Sequence, residues 1–185
     1  SVLTTLISAA RAYSPDAMEL SATMASSAIG HLREAAAASP DDESLMGVEQ
    51  LAERITETSR TLSGPFTSRI LGVGAGTVAI QVAEALYSAS VQAMVNSLQH
   101  AGSPDTVERW LRITGVGADG LEIEIGDNGA GFDPGDVQVE RLGLRVSIIE
   151  RVANAGGRAD VASSPGEGTV ISIRWPDPEL DGGDL

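Results

Sequence analysis

Residues 77–101 predict one long, mostly apolar helix of about seven turns. A helix of this composition buries most of its surface, so it belongs in the interior of a domain. One stripe of the helix is polar. At about 100° per residue, four polar side chains fall within an arc of about 100°: Gln92, Asn96, Gln99 and His100. The stripe is either a solvated face or the lining of a site, and amides with an imidazole suit a site that holds an anion and its metal ion.

The segments around this helix predict an α/β sandwich. Hydrophobic periodicity and turn residues indicate seven further elements: a helix near 46–61, strands at 65–72, 107–116 and 120–127, a helix at about 143–155, and the two strands of a β-hairpin at 158–175. This order is that of an α+β fold in which a mixed sheet carries helices on one face.

The N-terminal residues have a different pattern. Apolar and small side chains from Met18 to Ala36 recur at alternating spacings of four and three, which is the seam of a helical bundle or coiled coil. This pattern predicts a helical hairpin with a short first arm, and a single amphipathic helix is the alternative. The segment Ser39-Pro40-Asp41-Asp42 ends it. Three parts are therefore expected: a partial helical hairpin at 1–40, a second domain at 41–176, and a disordered acidic tail at 177–185.

Composition excludes several classes of function. The chain has 185 residues, a net charge of −14, no Cys and no Lys. The acidic balance argues against nucleic-acid binding, which needs a basic surface. The missing Lys excludes the phosphate-binding P-loop, and the missing Cys excludes disulfides, a thiol nucleophile and Cys-type zinc sites. No apolar run is as long as a membrane span, and a chain without Cys fits a cytoplasmic location.

A glycine-rich loop follows the strand at 120–127. In "GDNGAGFDP" (126–134), Asp127 ends the strand, and Gly129 and Gly131 allow the backbone to approach a ligand closely or to hinge. A carboxylate at a strand end is a good acceptor for an exocyclic amine, such as that of adenine. A calcium-binding loop is excluded, because its third and twelfth positions would be Gly129 and Gln138. An ordinary β-turn remains the alternative.

Two further segments have features of an anion site. In "RLGLRVSIIERV" (141–152), Gly143 precedes a helix, and helix N-termini bind phosphate groups. In "SSPGEGT" (163–169), a glycine turn is followed by Thr169 on a strand. By contrast, "GVGAGT" (72–77) lacks the third glycine of a dinucleotide-binding motif and is interpreted as a flexible loop.

Together these segments resemble a known family. Residues from about 46 to 176 resemble the Bergerat-fold ATPase superfamily of gyrase, mismatch-repair ATPases and sensor histidine kinases. The likeness is strongest to the catalytic domain of two-component sensor histidine kinases of the nitrate-sensor type common in actinobacteria. "VQAMVNSLQHAG" (91–102) is similar to that family's N box, "GDNGAGFDP" to its first glycine box, and "RLGLRVSIIERVANAGG" with "SSPGEGT" to its second.

The resemblance implies that the chain binds ATP and Mg²⁺. Asn96 would ligate Mg²⁺, and Gln99 and His100 would lie near the phosphates or the ribose. Asp127 would accept a hydrogen bond from the adenine amino group. The other binding positions belong to the glycine boxes: Gly129 for close approach, Gly131 as a hinge, Gly143 and Leu144 at the start of a helix facing the phosphates, Gly168 in the turn, and Thr169 beneath adenine.

Two positions depart from the family's pattern. Gln92 stands where relatives usually have Glu, four residues before the Asn, and Gln99 stands where many have Lys. Gln92, Asn96 and His100 would form the catalytic set, but a Gln cannot act as a general base for attack by water. A kinase needs positioning and charge neutralisation more than such a base, so phosphoryl transfer is favoured over ATP hydrolysis.

The implied function is that of the ATP-binding core of a sensor histidine kinase. Its partners would be a response regulator and, in the full-length protein, a second copy of the chain. Residues 1–40 resemble the later part of the family's dimerisation and phosphotransfer hairpin. His31 lies on the second arm and precedes Leu instead of an acidic residue, so it is interpreted as structural. The acceptor histidine is expected just upstream of Ser1, and this chain alone is expected not to phosphorylate itself.

The location and two other functions are also implied. The chain would be cytoplasmic or the cytosolic part of a membrane-anchored sensor, with no membrane contact of its own. One alternative function is a serine kinase and regulatory binding protein on the same fold, like an anti-sigma factor. The other is a catalytically degenerate module that dimerises.

Overall fold

The computed structural model describes residues 44–133 and 139–179, with side chains described at 44–133 and 147–179. The predicted hairpin at 1–40 lies outside the described residues. The helices of the described ranges are α1 (Val48–Thr61), α2 (Ile80–His100) and α3 (Val139–Asn154). Their strands are β1 (Leu45–Gly47), β2 (Phe66–Leu71), β3 (Thr77–Ala79), β4 (Arg109–Val116), β5 (Gly120–Asp127), β6 (Arg158–Ser164) and β7 (Gly168–Trp175).

Five strands form one mixed sheet in the order β2-β4-β5-β7-β6. β2 runs parallel to β4, and the other neighbouring strands are antiparallel. Parallel neighbours need a long crossover between them, and the segment that contains α2 supplies it. β1 and β3 form a separate antiparallel pair. The predicted α+β sandwich with a mixed sheet is therefore confirmed.

The helices cover one face of the sheet, and the hydrophobic core lies between the two layers. Buried and exposed side chains alternate along the strands, as expected for a sheet with one solvated face. On β4, for example, Leu111 and Ile113 are buried and Arg112 is exposed. The helices contribute several fully buried apolar side chains to this core: Val48, Leu51, Ile55, Leu86, Met94 and Ile148. None of the described helices has both the length and the hydropathy needed to cross a bilayer.

The opposite face of the sheet is stabilised by contacts between strands. Trp110 on β4 lies against Gly126 on β5, where an added Cβ would be 2.2 Å from the indole ring. The indole N–H donates to Glu124 Oε1 at 2.8 Å, and Arg112 pairs with the same carboxylate at 2.9 Å. This face therefore combines an aromatic ring with charged groups that remain partly solvated.

Two predicted helix bounds are wrong. α2 begins at Ile80 instead of residue 77, because Thr77–Ala79 is extended and pairs with β1. α3 begins at Val139 instead of about residue 143. With about 3.6 residues per turn, Gly143 and Leu144 therefore lie in the second turn of α3 and do not open the helix. The other predicted bounds agree to within about two residues.

The described part of the acidic tail contacts the domain. Asp177 N–H donates to Gly156 O at 2.9 Å, and the Glu179 carboxylate lies 2.6 Å from Arg158 Nη1. Residues 180–185 lie outside the described residues.

One buried hydroxyl of α1 leads to a prediction about stability. Thr56 is 4% exposed, and its Oγ1 has no hydrogen-bond partner among the described residues. Thr56→Val replaces this oxygen by a methyl group of similar size, so the folded state no longer buries this unpaired hydroxyl group. We expect the free energy of unfolding to rise by about 1 kcal/mol. Urea denaturation of the two proteins measures the difference.

Thr58 on the same helix provides the matched control. Its Oγ1 donates to Arg54 O at 3.0 Å and lies 3.0 Å from Tyr87 Oη. Thr58→Val removes these contacts and should lower stability. If Thr56→Val also lowers stability, the Thr56 hydroxyl has a stabilising partner and the prediction is wrong.

Candidate functional site

A cleft opens between the C-terminal part of α2 and the ends of β5 and β7. Counted together with the open solvent at its mouth, the empty space in the cleft is about 690 Å³. Most of the lining is apolar, with polar groups at a few positions. The lining residues are Ala93, Asn96, Ser97, His100, Ala101, Ile125, Asp127, Gly131, Phe132, Ile148, Val161, Thr169 and Ile171.

A row of polar side chains crosses the sheet at the cleft. The strand register places four residues side by side on β6, β7, β5 and β4, which we call the polar row: Ser163, Thr169, Asp127 and Arg109. Two positions further into the sheet, on the same face, the corresponding row is apolar: Val161, Ile171, Ile125 and Leu111. The hydrophobic core therefore ends at the polar row, where the cleft begins.

The structure brings together five of the predicted site residues. These come from α2, from the end of β5 with its following loop, and from β7. They all line the cleft: Asn96, His100, Asp127, Gly131 and Thr169. Segments that are distant in sequence thus supply one constellation of amide, imidazole, carboxylate and hydroxyl groups.

Gln92 and Gln99 do not line the cleft. Gln92 Oε1 accepts a hydrogen bond from Arg151 of α3 at 3.3 Å, and Gln99 is exposed. Successive residues of a helix are about 100° apart when viewed along its axis. In this view, the face of α2 that lines the cleft is rotated by roughly 80° from the predicted polar stripe. Small side chains spaced four residues apart, which sequence reasoning overlooked, form much of this face: Ala93, Ser97 and Ala101.

Asp127 is a buried acceptor that faces the cleft. It is only 4% exposed, and its Oδ1 accepts a hydrogen bond from Gly129 N–H at 3.0 Å. No other described residue donates to this carboxylate. The second oxygen therefore keeps its acceptor capacity for a ligand. Because unpaired polar groups are costly in such a site, the carboxylate favours ligands that present an N–H donor.

Asn96 is the one predicted metal ligand, and its surroundings define what kind of metal site is possible. It is half-buried, and its amide forms no hydrogen bond with any described residue. In the part of the chain that is described, no cluster of three or more His, Asp or Glu could hold a metal ion. Mg²⁺ commonly uses one or two protein oxygens together with phosphate oxygens and water. The cleft therefore fits Mg²⁺ as the companion of a bound phosphate ligand.

The loop after β5 packs against the C-terminal end of α2. A Cβ added at Gly129 would lie 2.2 Å from Ala101 O. The next residue, Ala130, donates its N–H to the same carbonyl at 2.9 Å. The close approach that Gly129 permits is thus to the helix backbone, and it fixes the position of Asp127 relative to α2.

The same loop contacts the turn between β6 and β7. Gly166 N–H donates to Ala130 O at 2.7 Å. Gly131 has a φ of 57°, and a Cβ there would be 1.9 Å from Ser164 O. A Cβ at Gly168 in the turn would lie equally close to Asp127 O. These glycines let three backbone segments meet beside the cleft, and the hinge role of Gly131 stays a prediction.

Arg109 is a buried residue that sequence reasoning missed. It is 2% exposed, and its guanidinium donates to Ser97 Oγ at 3.1 Å and to three carbonyl oxygens, those of Ser97, Val107 and Gly102, at 3.3, 3.3 and 2.8 Å. It thereby satisfies carbonyls at the end of α2, where a positive charge is favourable. The sequence did contain a signal for this burial. Side chains alternate between the two faces of a strand, and Arg109, two residues before the buried Leu111, lies on the same face as Leu111.

Comparison with known families accounts for this arrangement. Residues 81–179, more than half of the chain, match the family model for the histidine kinase-, DNA gyrase B- and HSP90-like ATPases. The matched segment contains α2 except for its first residue, together with β4, β5, α3 and the hairpin of β6 and β7, and so contains every residue of the cleft.

Two curated relatives are sensor kinases. An uncharacterized sensor-like histidine kinase of Chloroflexus aurantiacus is 35% identical over 100 residues, which are 52% of this chain and 16% of that protein. Sensor histidine kinase LiaS of Bacillus subtilis is 33% identical over 96 residues, which are 51% of this chain and 25% of that protein. The chain therefore matches a quarter or less of the length of these relatives.

A solved structure supports the same fold. The ATP-binding domain of PrrB from Mycobacterium tuberculosis superposes with a TM-score of 0.54 at 24% identity, over 75% of this chain and 99% of that domain. The chain belongs to the family of histidine kinase-, DNA gyrase B- and HSP90-like ATPases, and its described domain has the Bergerat fold of histidine kinase ATP-binding domains.

Proposed function

We propose that this chain is the kinase core of a two-component sensor histidine kinase. It would bind Mg·ATP in the cleft and present the γ-phosphate to a histidine that lies outside this sequence. The observation that supports this proposal is the joint placement of Asn96, His100 and Asp127 around one cleft. The phosphoryl group would then pass to a response regulator.

Each cleft residue has a role that its surroundings permit. Asp127 accepts a hydrogen bond from the adenine amino group through the oxygen that Gly129 leaves available. Asn96 would hold Mg²⁺ through its amide oxygen, and the ion, when bound, would supply positive charge that offsets the charge of the phosphate oxygens. His100 lies at the exposed end of the cleft, where it contacts the phosphates or the ribose.

The side chain of Gln92 favours phosphoryl transfer over hydrolysis. Gln92 has no basic group, and its side-chain oxygen is engaged by Arg151, so it does not activate water. Gln99 is exposed and brings no positive charge to the phosphates. Transfer to a histidine requires mainly that the two reacting groups be held in line.

The remaining parts of the proposal concern the longer protein. We place this domain in the cytoplasm, as a homodimer whose contacts are made by residues 1–40, in a kinase of the nitrate-sensor type. The acceptor histidine lies upstream of Ser1. The domains at 1–40 and 41–176 and the tail at 177–185 remain the proposed organisation.

Incubation with γ-labelled ATP tests this function. The present chain should bind ATP yet acquire no acid-labile, base-stable label, because His100 lies in the nucleotide cleft and His31 lacks the following acidic residue. A polypeptide extended upstream to include the acceptor histidine should acquire such label. Label on His31 would show that the acceptor histidine is His31 and that its proposed position upstream of Ser1 is wrong. Label on an added protein's serine would favour the anti-sigma-like kinase, and no nucleotide binding would favour a degenerate module.

A further inference from the structure

Ser163 belongs to the polar row but does not line the cleft, and its hydroxyl is surrounded by three partners. Phe132 N–H donates to Ser163 Oγ at 2.9 Å. Ser163 Oγ lies 2.9 Å from Gly168 O and 2.9 Å from Thr169 Oγ1. Ser163 thus connects the loop after β5, the turn between β6 and β7, and one residue that lines the cleft.

The chemistry of these partners fixes the direction of each hydrogen bond. A hydroxyl group donates one proton and accepts two. The Phe132 N–H can only donate and the Gly168 carbonyl can only accept, so the Ser163 proton points to Gly168. The remaining partner, Thr169, must then donate its own proton to Ser163. Thr169 has no second proton, and toward the cleft its hydroxyl oxygen can only accept.

Asp127 is the neighbour of Thr169 on the adjacent strand, in direct register. Its carboxylate is also an acceptor, with one oxygen already taken by Gly129 N–H. The two cleft-lining members of the polar row therefore present acceptors only. A ligand, or a water bound with it, must bring N–H or O–H donors to this wall.

We propose that Ser163 is a positioning residue for nucleotide specificity. It accepts a hydrogen bond from the Thr169 hydroxyl group, and this wall of the cleft therefore presents no donor. This inference rests on the proposed binding of an adenine nucleotide. At position 6, an amino group supplies donors to such a wall, whereas a carbonyl group brings another acceptor, so that the carbonyl and the acceptor of the wall that faces it are both left unpaired. Ser163 acts without touching the ligand, through the orientation of one hydroxyl group.

The test compares ATP with ITP, which has a carbonyl in place of the 6-amino group. In Ser163→Ala, the Thr169 proton loses its acceptor and becomes available to a 6-carbonyl group. We expect the ratio of ATP to ITP affinities to fall by about 5- to 10-fold, the equivalent of one neutral hydrogen bond. Isothermal titration calorimetry of both nucleotides measures this ratio.

Two variants distinguish a positioning role of Ser163 from a general loss of structure around the cleft. Ser163→Thr retains the hydroxyl and should restore the wild-type ratio. Ser164→Ala alters an exposed neighbour whose side chain forms no hydrogen bond with a described residue, and it should leave the ratio unchanged. Loss of the partner of Phe132 N–H could weaken both nucleotides alike, but it would not change their ratio.

The outcomes also separate this inference from the proposed function. If the wild-type chain binds neither nucleotide, the proposed function fails, and the adenine preference of this wall fails with it. If the wild type prefers ATP and Ser163→Ala keeps the full preference, the proposed function stands and Ser163 has no role in specificity. A ratio that falls in Ser163→Ala and does not recover in Ser163→Thr also overturns the inference.

Discussion

Asp127→Asn should lower the affinity for ATP by at least about 100-fold while the domain remains folded. The direction of one hydrogen bond explains the size of the effect. Gly129 N–H needs an acceptor at Oδ1, so the amide of the variant keeps its oxygen there and turns its NH₂ group into the cleft. Two donors then face the adenine amino group. Loss of a charge-assisted bond and burial of unpaired donors together cost about 3–5 kcal/mol.

Calorimetry with ATP and GTP measures this effect, and thermal unfolding checks the fold. The wild type should prefer ATP, because guanine presents a carbonyl oxygen where adenine presents its amine. The amide of the variant can donate to that carbonyl, so the preference for ATP over GTP should narrow. Asp105→Asn, on an exposed loop away from the cleft lining, is the matched control for charge. Wild-type ATP affinity in Asp127→Asn would contradict the proposed contact.

Arg109→Met should lower the free energy of unfolding by about 2–5 kcal/mol. Met preserves the apolar stem of the side chain but removes every donor. Gly102 O and Val107 O then lose their guanidinium partner, while Ser97 O keeps the Ala101 N–H at 3.0 Å. Each buried polar group left without a partner costs about 1–3 kcal/mol. Chemical denaturation at neutral pH measures the loss.

Arg112 provides a control on the same strand. It faces the opposite side of the sheet, is partly exposed, and pairs with Glu124 at 2.9 Å. Exposed ion pairs contribute about 1 kcal/mol or less, so Arg112→Met should have a small effect. If Arg109→Met and Arg112→Met lower the free energy of unfolding by the same amount, the buried guanidinium does not stabilise the end of α2, and Arg109 is an ordinary strand residue.

The strands and helices were largely predictable, because each follows from local periodicity. The errors occur where a non-local contact decides the structure. Thr77–Ala79 continues the pattern of α2 in sequence but pairs with β1, about thirty residues away. The parallel pairing of β2 with β4 likewise depends on a crossover that no local signal specifies. The start of α3 at Val139 was missed because Gly143 suggested a later beginning.

Most polar residues of the site were predictable from the sequence, but the face of α2 that lines the cleft was not. Asn96, His100, Asp127 and Thr169 were identified from motifs, and all of them line the cleft. Gln92 and Gln99 were added because they are polar and share an arc with Asn96, but the facing layer decides which side of a helix lines a cleft. Ser163 and Arg109 were missed because their roles depend on hydrogen bonds with residues far along the chain.

The contact between Trp110 and Gly126 also constrains how this family member can vary. Gly126 directly precedes Asp127 but faces the opposite side of the sheet, where the indole ring leaves no space for a Cβ. Any side chain at this position would push the ring away or displace β5, and with it the carboxylate that follows. The two positions should therefore change together during evolution, with a residue larger than Gly at 126 accepted only beside a smaller side chain at 110. The solvated face of the sheet thus shares the sequence constraints of the cleft on its opposite face.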